Sequence, residues 1–375
     1  MNGFGFFRKR CVTELDLFLP TEIGQLARGF AERKSMVINK SYWHKLFYVF
    51  HPFGLLAEAI LFKMGKTKFH SKYLVTTFLL VGGTPGTFLS RFLGIKKQNL
   101  ELLSRPSVIQ VGNSFSKTDL RDRGYSLVPT ALDPKHVDKI LDLSFSLKGS
   151  NRGMDSGKGF QDGIYFDREN PKTVRFDYHP NDVIADPTIQ KIVSDPKILE
   201  IAQDYLGTLP VLDFVAMWWH TKSSNPDKEA AQYFHFDMDR LRWVKFFFYI
   251  TDVGPDNGPH VFVPTSHSDS GLPFALRKNG YTRLDDEQVR KHFKEESWRT
   301  FVGPKGSMIV EDTRGLHKGK HVGTGDRLIF QIQFTSALFG TDISNLEINQ
   351  NDIGLDLRNS MQNFPDIYRN VVVQK

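Results

Sequence analysis

Residues 241–251 read LRWVKFFFYIT and predict a β-strand whose two faces differ. Successive side chains of a strand point to opposite faces, so alternate positions separate. One face would carry Trp243, Lys245, Phe247 and Tyr249, and the other Val244, Phe246, Phe248 and Ile250. Residues 327–334, RLIFQIQF, split in the same way, with Arg327 on the polar face and Leu328 on the apolar one. We therefore expect a barrel or two-sheet sandwich with a polar, ligand-holding interior and an apolar exterior covered by helices.

The segment just before this strand, YFHFDMD (residues 233–239), places His235 and Asp237 two positions apart. On an extended chain both side chains project to the same face. An imidazole and a carboxylate that project together can take two adjacent positions on an octahedral metal ion. A third ligand would complete a facial triad, which suits non-haem Fe(II). A turn role for Asp237 or Asp239 is the alternative interpretation.

A third histidine and an arginine stand further along the chain. His317 lies 82 residues after His235, within EDTRGLHKG (residues 311–319), and Arg327 follows ten residues later. A planar guanidinium beside the metal strand can pair with the distal carboxylate of a bound dicarboxylate. The spacing therefore indicates 2-oxoglutarate as a cosubstrate.

Residues 105–342 resemble the phytanoyl-CoA dioxygenase (PhyH)-like family of Fe(II)/2-oxoglutarate-dependent oxygenases. Four local matches carry the resemblance: Gly124-Tyr125 with Val128; Asp195-Pro196 with Tyr205-Leu206-Gly207; His235 and Asp237 with Asn257-Gly258 and Pro264-Thr265-Ser266-His267; and Asp312-Thr313-Arg314-Gly315-x-His317 with Arg327. The last two matches are specific, and the first two support them.

The resemblance implies an α+β fold, mainly β with flanking helices, whose core is a double-stranded β-helix of the jelly-roll or cupin-like kind. In it His235, Asp237 and His317 would hold Fe(II), and Arg327 would bind 2-oxoglutarate. The implied activity is that of a dioxygenase that uses O2, releases succinate and CO2, and hydroxylates a small-molecule, lipid or glycan-precursor substrate. Asp237 favours hydroxylation over halogenation, because the related halogenases replace this carboxylate with a small residue.

Two residues depart from the family pattern. Phe236 stands where many relatives have Gln, and Gly319 stands where many have Ser or Thr. Cosubstrate contacts beyond Arg327 are therefore left open. Phe247 could line the cosubstrate pocket, although a core role is the simpler interpretation. His220 and His260 could line a pocket or be ordinary buried rings.

Positive charge is concentrated at the front of the chain. Residues 1–100 hold 15 Lys and Arg against 5 Asp and Glu, whereas the remainder holds 34 against 37. We expect residues 1–104 to be a basic, aromatic-rich, helical extension, residues 105–342 the dioxygenase domain, and residues 343–375 a C-terminal tail. The aromatic run SYWHKLFYVFHPF (residues 41–53) suits contact with an anionic membrane surface, or packing as a core helix. A solvated surface also explains the charge.

Two further features bear on location. Residues 73–90 form an uncharged stretch of 18 residues, near the lower limit for a membrane span, but internal Gly and Pro residues favour a buried hairpin or a peripheral amphipathic element. No export signal is readable, since Glu14 and Asp16 stand where an apolar stretch is needed. Cys11 is the single cysteine, which excludes an intramolecular disulfide and suits a reducing compartment. We expect a cytoplasmic protein, or one peripheral at a membrane.

Local patterns also predict helices at residues 134–147 and 189–206, the second ending at Gly207. Between them, residues 148–163 (KGSNRGMDSGKGFQDG) are rich in Gly, Ser and charge and predict a mobile loop.

Two other functions compete with the oxygenase. One is a non-oxygenase jelly-roll metal-binding module or a cupin-like isomerase, in which the same ligands hold a metal without oxygen chemistry. Arg327 argues against an isomerase, which needs no buried dicarboxylate clamp. The other is an oxygenase acting on nucleic acid, which we rank lowest because no nucleic-acid-binding motif accompanies the basic charge.

Overall fold

The computed structural model describes residues 53–65, 73–100, 105–152 and 161–375, except Ser224, Glu229, Asn279, Tyr281 and Asp342. The strands are β1 (Tyr125–Val128), β2 (Lys148–Arg152), β3 (Ile164–Tyr165), β4 (Arg175–Tyr178), β5 (Val211–Thr221), β6 (Trp243–Tyr249), β7 (His260–Phe262), β8 (Arg299–Phe301), β9 (Met308–Glu311), β10 (His317–Gly319), β11 (Asp326–Thr335), β12 (Leu346–Asn349) and β13 (Val371–Gln374).

Short helices surround these strands. They are α1 (Leu74–Val81), α2 (Thr84–Leu93), α3 (Lys117–Asp122), α4 (Pro134–Ser146), α5 (Pro180–Ala185), α6 (Pro187–Val193), α7 (Pro196–Leu206), α8 (Phe274–Arg277), α9 (Asp286–Arg290) and α10 (Leu355–Asn363). Residues 53–63 are also helical, and 3-10 turns occupy Glu295–Ser297 and Gln350–Asp352.

A large antiparallel sheet dominates this mixed α and β fold. Its strands follow the order β1-β9-β6-β11-β5-β4-β2-β3, and a smaller antiparallel sheet has the order β10-β7-β8. β6 and β11 lie inside this sheet and pair with each other, so the two segments whose alternation we noted are neighbours. β12 and β13 form a separate parallel pair.

The predicted two-faced character of β6 and β11 is confirmed. One face of each strand belongs to the main core and packs against residues of α6 and α7 such as Ile192 and Leu199. The residues of this face are Val244, Phe246, Phe248, Leu328, Phe330, Ile332 and Phe334. A second cluster takes the opposite face and joins both sheets, through Trp218, Phe247, Tyr249, Ile309, Ile329, Phe262 and Phe301. The polar residues of this face, Lys245, Arg327, Gln331 and Gln333, are all buried.

The prediction of one helix over residues 189–206 is wrong. Two helices, α6 and α7, meet at Asp195-Pro196. The residue before a proline is disfavoured in the helical region, and the Asp195 side chain instead accepts hydrogen bonds from the backbone N–H groups of Lys197 and Ile198. Gly207 ends α7 with φ 74°, as predicted. The helix predicted at residues 134–147 is confirmed as α4.

The prediction of a loop over residues 148–163 is wrong at its start. Lys148–Arg152 forms β2, which pairs with β4. A Cβ atom on Gly149 would lie 2.4 Å from the carbonyl oxygen of Asp177, so this glycine permits close strand approach rather than mobility. Residues 153–160 lie outside the described residues.

The uncharged stretch at residues 73–90 forms a helical hairpin, with α1 and α2 separated at Gly82-Gly83, and this hairpin is buried on one side only, since Phe88 is exposed. Leu74, Leu89 and Leu93 pack in a cluster with Leu241 and Phe339. Among the helices that the structure describes, none combines the length and apolar character needed to cross a bilayer. The start of the chain with Glu14, Asp16 and Cys11, and all but the last residue of the aromatic run at 41–53, lie outside the described residues.

The C-terminal segment contributes to the main core through β12, α10 and the residues before β13. Leu346, Leu357 and Ile367 are fully buried there. The division of the chain at residues 104 and 342 stays a prediction.

We expect Phe246→Ala to lower the free energy of unfolding by about 3–5 kcal/mol, because a fully buried ring on β6 would leave a cavity. Phe88→Ala, at a ring that is 68% exposed, is the matched control and should change it by less than about 0.5 kcal/mol. Urea denaturation followed by circular dichroism measures both values. Equal effects would contradict the assignment of the core face.

Candidate functional site

A short backbone pairing brings the two histidine motifs together. The N–H of His235 donates to the carbonyl of His317 at 3.0 Å, and the N–H of His317 donates back to His235 at 2.9 Å. The N–H of Asp237 donates to the carbonyl of Thr313 at 2.9 Å. The segment that carries His235 therefore extends the smaller sheet beside β10.

This pairing gathers three side chains that could bind a metal ion. One ligand atom each from His235, Asp237 and His317 lies within 4.8 Å of the others, and all three residues are buried. Nε2 of His317 is 3.7 Å from Oδ2 of Asp237, and the two imidazole rings are 4.2 Å apart between centroids. Two imidazoles and one carboxylate in such a group are the ligand set of a facial triad.

Backbone carbonyls select the tautomer of both histidines. Nδ1 of His235 lies 2.9 Å from the carbonyl of Tyr233, and Nδ1 of His317 lies 2.9 Å from the carbonyl of Gly315. A carbonyl only accepts, so each Nδ1 carries the hydrogen and each Nε2 carries the lone pair. Burial lowers the pKa of both rings, which favours the neutral form that a metal needs.

Lys245 reaches Asp237 from the inner face of β6. Its Nζ donates to Oδ2 of Asp237 at 2.6 Å and lies 3.5 Å from Oδ2 of Asp239. Burial alone would raise the pKa of Asp237, but Lys245 and the two histidines hold that pKa well below its ordinary value. The carboxylate is therefore an anion. Sequence reasoning placed Lys245 on the correct face but missed this contact.

Arg327 is fixed in the interior by two acceptors. Its Nη1 donates to the carbonyl of Gly258, and its Nη2 donates to Nδ1 of His220 at 2.6 Å. Nε2 of His220 in turn donates to the carbonyl of Ala230 at 2.9 Å, so the neutral His220 ring has the tautomer that accepts from Arg327. These contacts orient the guanidinium without neutralising it.

Two buried N–H groups beside this network have no acceptor among the described residues. They are Nε of Arg327 and Nε1 of Trp218. Arg327 is 1% exposed, and no described carboxylate pairs with it. Burial lowers the pKa of Arg327 to about 10, so the group is still a cation at neutral pH. A buried donor without an acceptor costs about 1–3 kcal/mol, which an anionic ligand would offset.

The family departure at Gly319 has a steric reason. A Cβ atom there would lie 2.9 Å from Nη2 of Arg327 and 3.6 Å from Cε1 of His220. The Arg327 guanidinium therefore occupies the space that a side chain at position 319 would need, and His220 lies at an ordinary contact distance. The other departure, Phe236, packs its ring 5.8 Å from that of Phe78 in α1, on the side opposite the neighbouring ligands.

Glu311 and His260 form a buried pair near the histidines. Nε2 of His260 lies 2.9 Å from Oε2 of Glu311, and the His260 ring centroid is 5.6 Å from that of His317. Burial raises the pKa of Glu311 to about 8 and, together with Arg327, lowers the pKa of His260 to about 3. Phe247 lies 5.0 Å from the His260 ring, within the inner cluster. Sequence reasoning missed Glu311, because its pairing depends on the facing sheet.

Comparison with known families gives a clear result. Residues 120–328, more than half of the chain, match the family model described as phytanoyl-CoA dioxygenase (PhyH). The chain therefore belongs to the PhyH family and is an enzyme of the Fe(II)/2-oxoglutarate-dependent class. Enzymes of this family use Fe(II), 2-oxoglutarate and O2. No curated protein matches the chain.

Solved structures similar to this chain include the following three. The 2-oxoglutarate-dependent epimerase SnoN from nogalamycin biosynthesis is 19% identical, covers 58% of this chain and 81% of its own, and has a TM-score of 0.43. EvdO2 from Micromonospora carbonacea var. aurantiaca with 2-oxoglutarate is 15% identical, with 62% and 94% covered and a TM-score of 0.42. HygX from Streptomyces hygroscopicus with nickel and 2-oxoglutarate is 16% identical, with 64% and 91% covered and a TM-score of 0.42.

We expect Asp237→Ala to weaken Fe(II) binding by more than about 100-fold, since even residues that only support a ligand cost 10–100-fold. Anaerobic calorimetric titration of the apoprotein with Fe(II) measures the affinity. His321→Ala is the matched control, because that ring bonds to the carbonyl of Ser223 and lies outside the triad. Unchanged affinity in Asp237→Ala would remove this carboxylate from the site.

Proposed function

We propose that this protein is a non-haem Fe(II)- and 2-oxoglutarate-dependent dioxygenase that hydroxylates a small-molecule substrate and releases succinate and CO2. His235, Asp237 and His317 are the proposed metal ligands, and Arg327 is the proposed anchor for 2-oxoglutarate. The single observation that carries this proposal is that a buried cation, which pairs with no carboxylate of the described residues, accompanies a compact group of two imidazoles and one carboxylate. The two sheets that enclose these residues support the double-stranded β-helix expected for residues 105–342.

The proposed ligands suit Fe(II) in number and kind. Two neutral imidazoles and one carboxylate leave half of an octahedral shell for cosubstrate and O2. Fe(II) bound there would supply the activation of O2 that couples decarboxylation of 2-oxoglutarate to oxidation of the substrate. Lys245 keeps Asp237 ionised and fixes its carboxylate, while the carbonyls of Tyr233 and Gly315 keep both rings oriented.

The proposed anchor suits a dicarboxylate. Arg327 offers charge and an unused Nε–H, and Trp218 offers a second unused N–H on the same inner face of the β5–β11 pair. A distal carboxylate that accepted from these donors would remove the cost of leaving them unpaired. His220 is a positioning residue, because it acts on the ligand through Arg327.

The alternative of a cupin-like isomerase or a metal-binding module is less well supported. Such proteins need the metal ligands but not a fixed, buried guanidinium without a counter-ion.

An anaerobic titration tests the proposed function. Fe(II) and 2-oxoglutarate are added together to the purified apoprotein, and the visible charge-transfer band of a 2-oxo acid chelated to iron is recorded. We expect a band that requires both additions. Folded, iron-loaded protein that showed no band would contradict the proposal and favour a metal-binding module.

We expect His220→Leu to raise the KM for 2-oxoglutarate about 10- to 100-fold with little change in kcat, because Arg327 would lose an acceptor that orients it. His220→Asn is the matched control, since its side-chain oxygen can accept from Nη2 and should restore most of the affinity. Succinate release at varied 2-oxoglutarate measures both values. Equal KM values in the wild type and His220→Leu would leave His220 without a positioning role.

A further inference from the structure

The helical residues 53–63 are apolar on both sides. Leu55 and Ala59 are buried against the hairpin cluster. The opposite side carries five exposed apolar residues at helical spacing, and Lys63 lies at its edge; the five are Phe53, Leu56, Ala57, Ile60 and Leu61. Met64, in the turn that follows, continues this side and is 58% exposed. A helix of a water-exposed surface normally presents polar residues to the solvent, so this side needs a partner.

Helix α2 extends the exposed surface. Phe88 is 68% exposed and Phe92 is 38% exposed. Lys63 joins the two helices, because its Nζ donates to the carbonyl of Phe92 at 2.7 Å and lies 4.0 Å from the centre of the Phe92 ring. We call Phe53, Leu56, Ile60, Leu61, Met64, Phe88 and Phe92 the apolar face.

The apolar face concentrates exposed apolar side chains. The described residues hold 15 exposed large apolar side chains; seven of these form the apolar face, and Val81 lies in the same stretch of chain. The other seven are scattered from Phe145 to Val373. Scattered apolar side chains are normal on a protein surface, whereas a contiguous group marks an interaction site.

Positive charge borders the apolar face. Lys63, Arg91 and Lys96 are exposed in this part of the chain, and Glu58 is the one acidic residue between positions 51 and 100. The first 100 residues as a whole carry 15 basic against 5 acidic side chains. Two copies of this chain placed face to face would bring like charges together. An anionic surface would instead be attracted.

We propose that the apolar face binds the interfacial region of an anionic lipid bilayer, with the helical residues 53–63 and α2 lying along the membrane surface. The apolar side chains enter the boundary between headgroups and acyl chains, and the bordering cations contact anionic headgroups. This binding does not depend on the proposed oxygenase activity, because none of its residues belongs to the metal or cosubstrate site.

The hairpin of α1 and α2 connects the apolar face with the candidate site. Phe78 of α1 contacts Phe236, between two of the proposed ligands. Arg277 donates to the carbonyls of Leu79 and Leu80, and Thr87 of α2 donates to the Asp269 carboxylate at 2.7 Å. The hairpin is therefore attached firmly to the domain, so binding at the apolar face would hold the whole catalytic domain at the membrane.

Flotation of the full-length protein with vesicles tests the proposal. We expect the protein to float with phosphatidylcholine vesicles that contain phosphatidylserine, and to float less with pure phosphatidylcholine. Leu56→Glu and Phe88→Glu, on different helices, should each lower the partition coefficient about tenfold or more, since each places a charge where an apolar side chain would be buried. Leu355→Glu, at a residue that is 72% exposed on α10, is the matched control and should bind as the wild type does.

Thermal melts establish that each variant is folded, and light scattering after size-exclusion chromatography gives its oligomeric state without lipid. Wild-type protein that stayed unbound with both vesicle types would overturn the proposal, and residues 1–52 would then be the first candidates to cover the apolar face. A wild-type dimer that Leu56→Glu and Phe88→Glu both converted to monomers would overturn it in favour of a second copy. Equal flotation with both vesicle types would overturn the requirement for anionic lipid.

Discussion

The pairing of His235 with His317 through two backbone hydrogen bonds is the constraint on which the candidate site depends. These residues lie 82 positions apart in the chain, and the pairing places their imidazole rings 4.2 Å apart. Asp237 follows on the same side of the extended segment, so the three side chains converge without any other adjustment. The antiparallel sheets fix the register in which the segments of His235 and His317 pair.

The partners of the buried arginines indicate which of these residues stabilise the fold and which one could bind an anionic ligand. Arg240 pairs with Asp213, and Arg314 pairs with Asp312, each at 2.7 Å in the interior. Such pairs are compensated, and removal of one partner would leave a costly buried charge. Arg327 is equally buried but pairs with no described carboxylate. This contrast distinguishes Arg327 from the other buried arginines and supports its proposed role with an anionic cosubstrate.

The N-terminal part of the described chain connects the site to the surface. The family match begins at residue 120, yet α1 precedes it and packs against the segment that carries His235. Phe236 replaces the polar residue found in many relatives, and its ring meets Phe78 of α1 in an apolar cluster. Phe236, between two of the proposed metal ligands, thus packs against a hairpin that lies outside the matched region.

The sequence by itself determined the two-faced strands, the spacing of His235, Asp237, His317 and Arg327, and the hairpin at residues 73–90. These features follow from periodicities and motifs that depend on neighbouring positions along the chain. Only the tertiary structure revealed the contact of Lys245 with Asp237, the pair of Glu311 and His260, and the use of His220 to orient Arg327. Those contacts join residues of different strands or segments, and which side chains meet is decided by strand order and register. Local patterns gave wrong predictions at two places. At Asp195-Pro196 a helix cap separates two helices, and at Gly149 two strands approach each other closely.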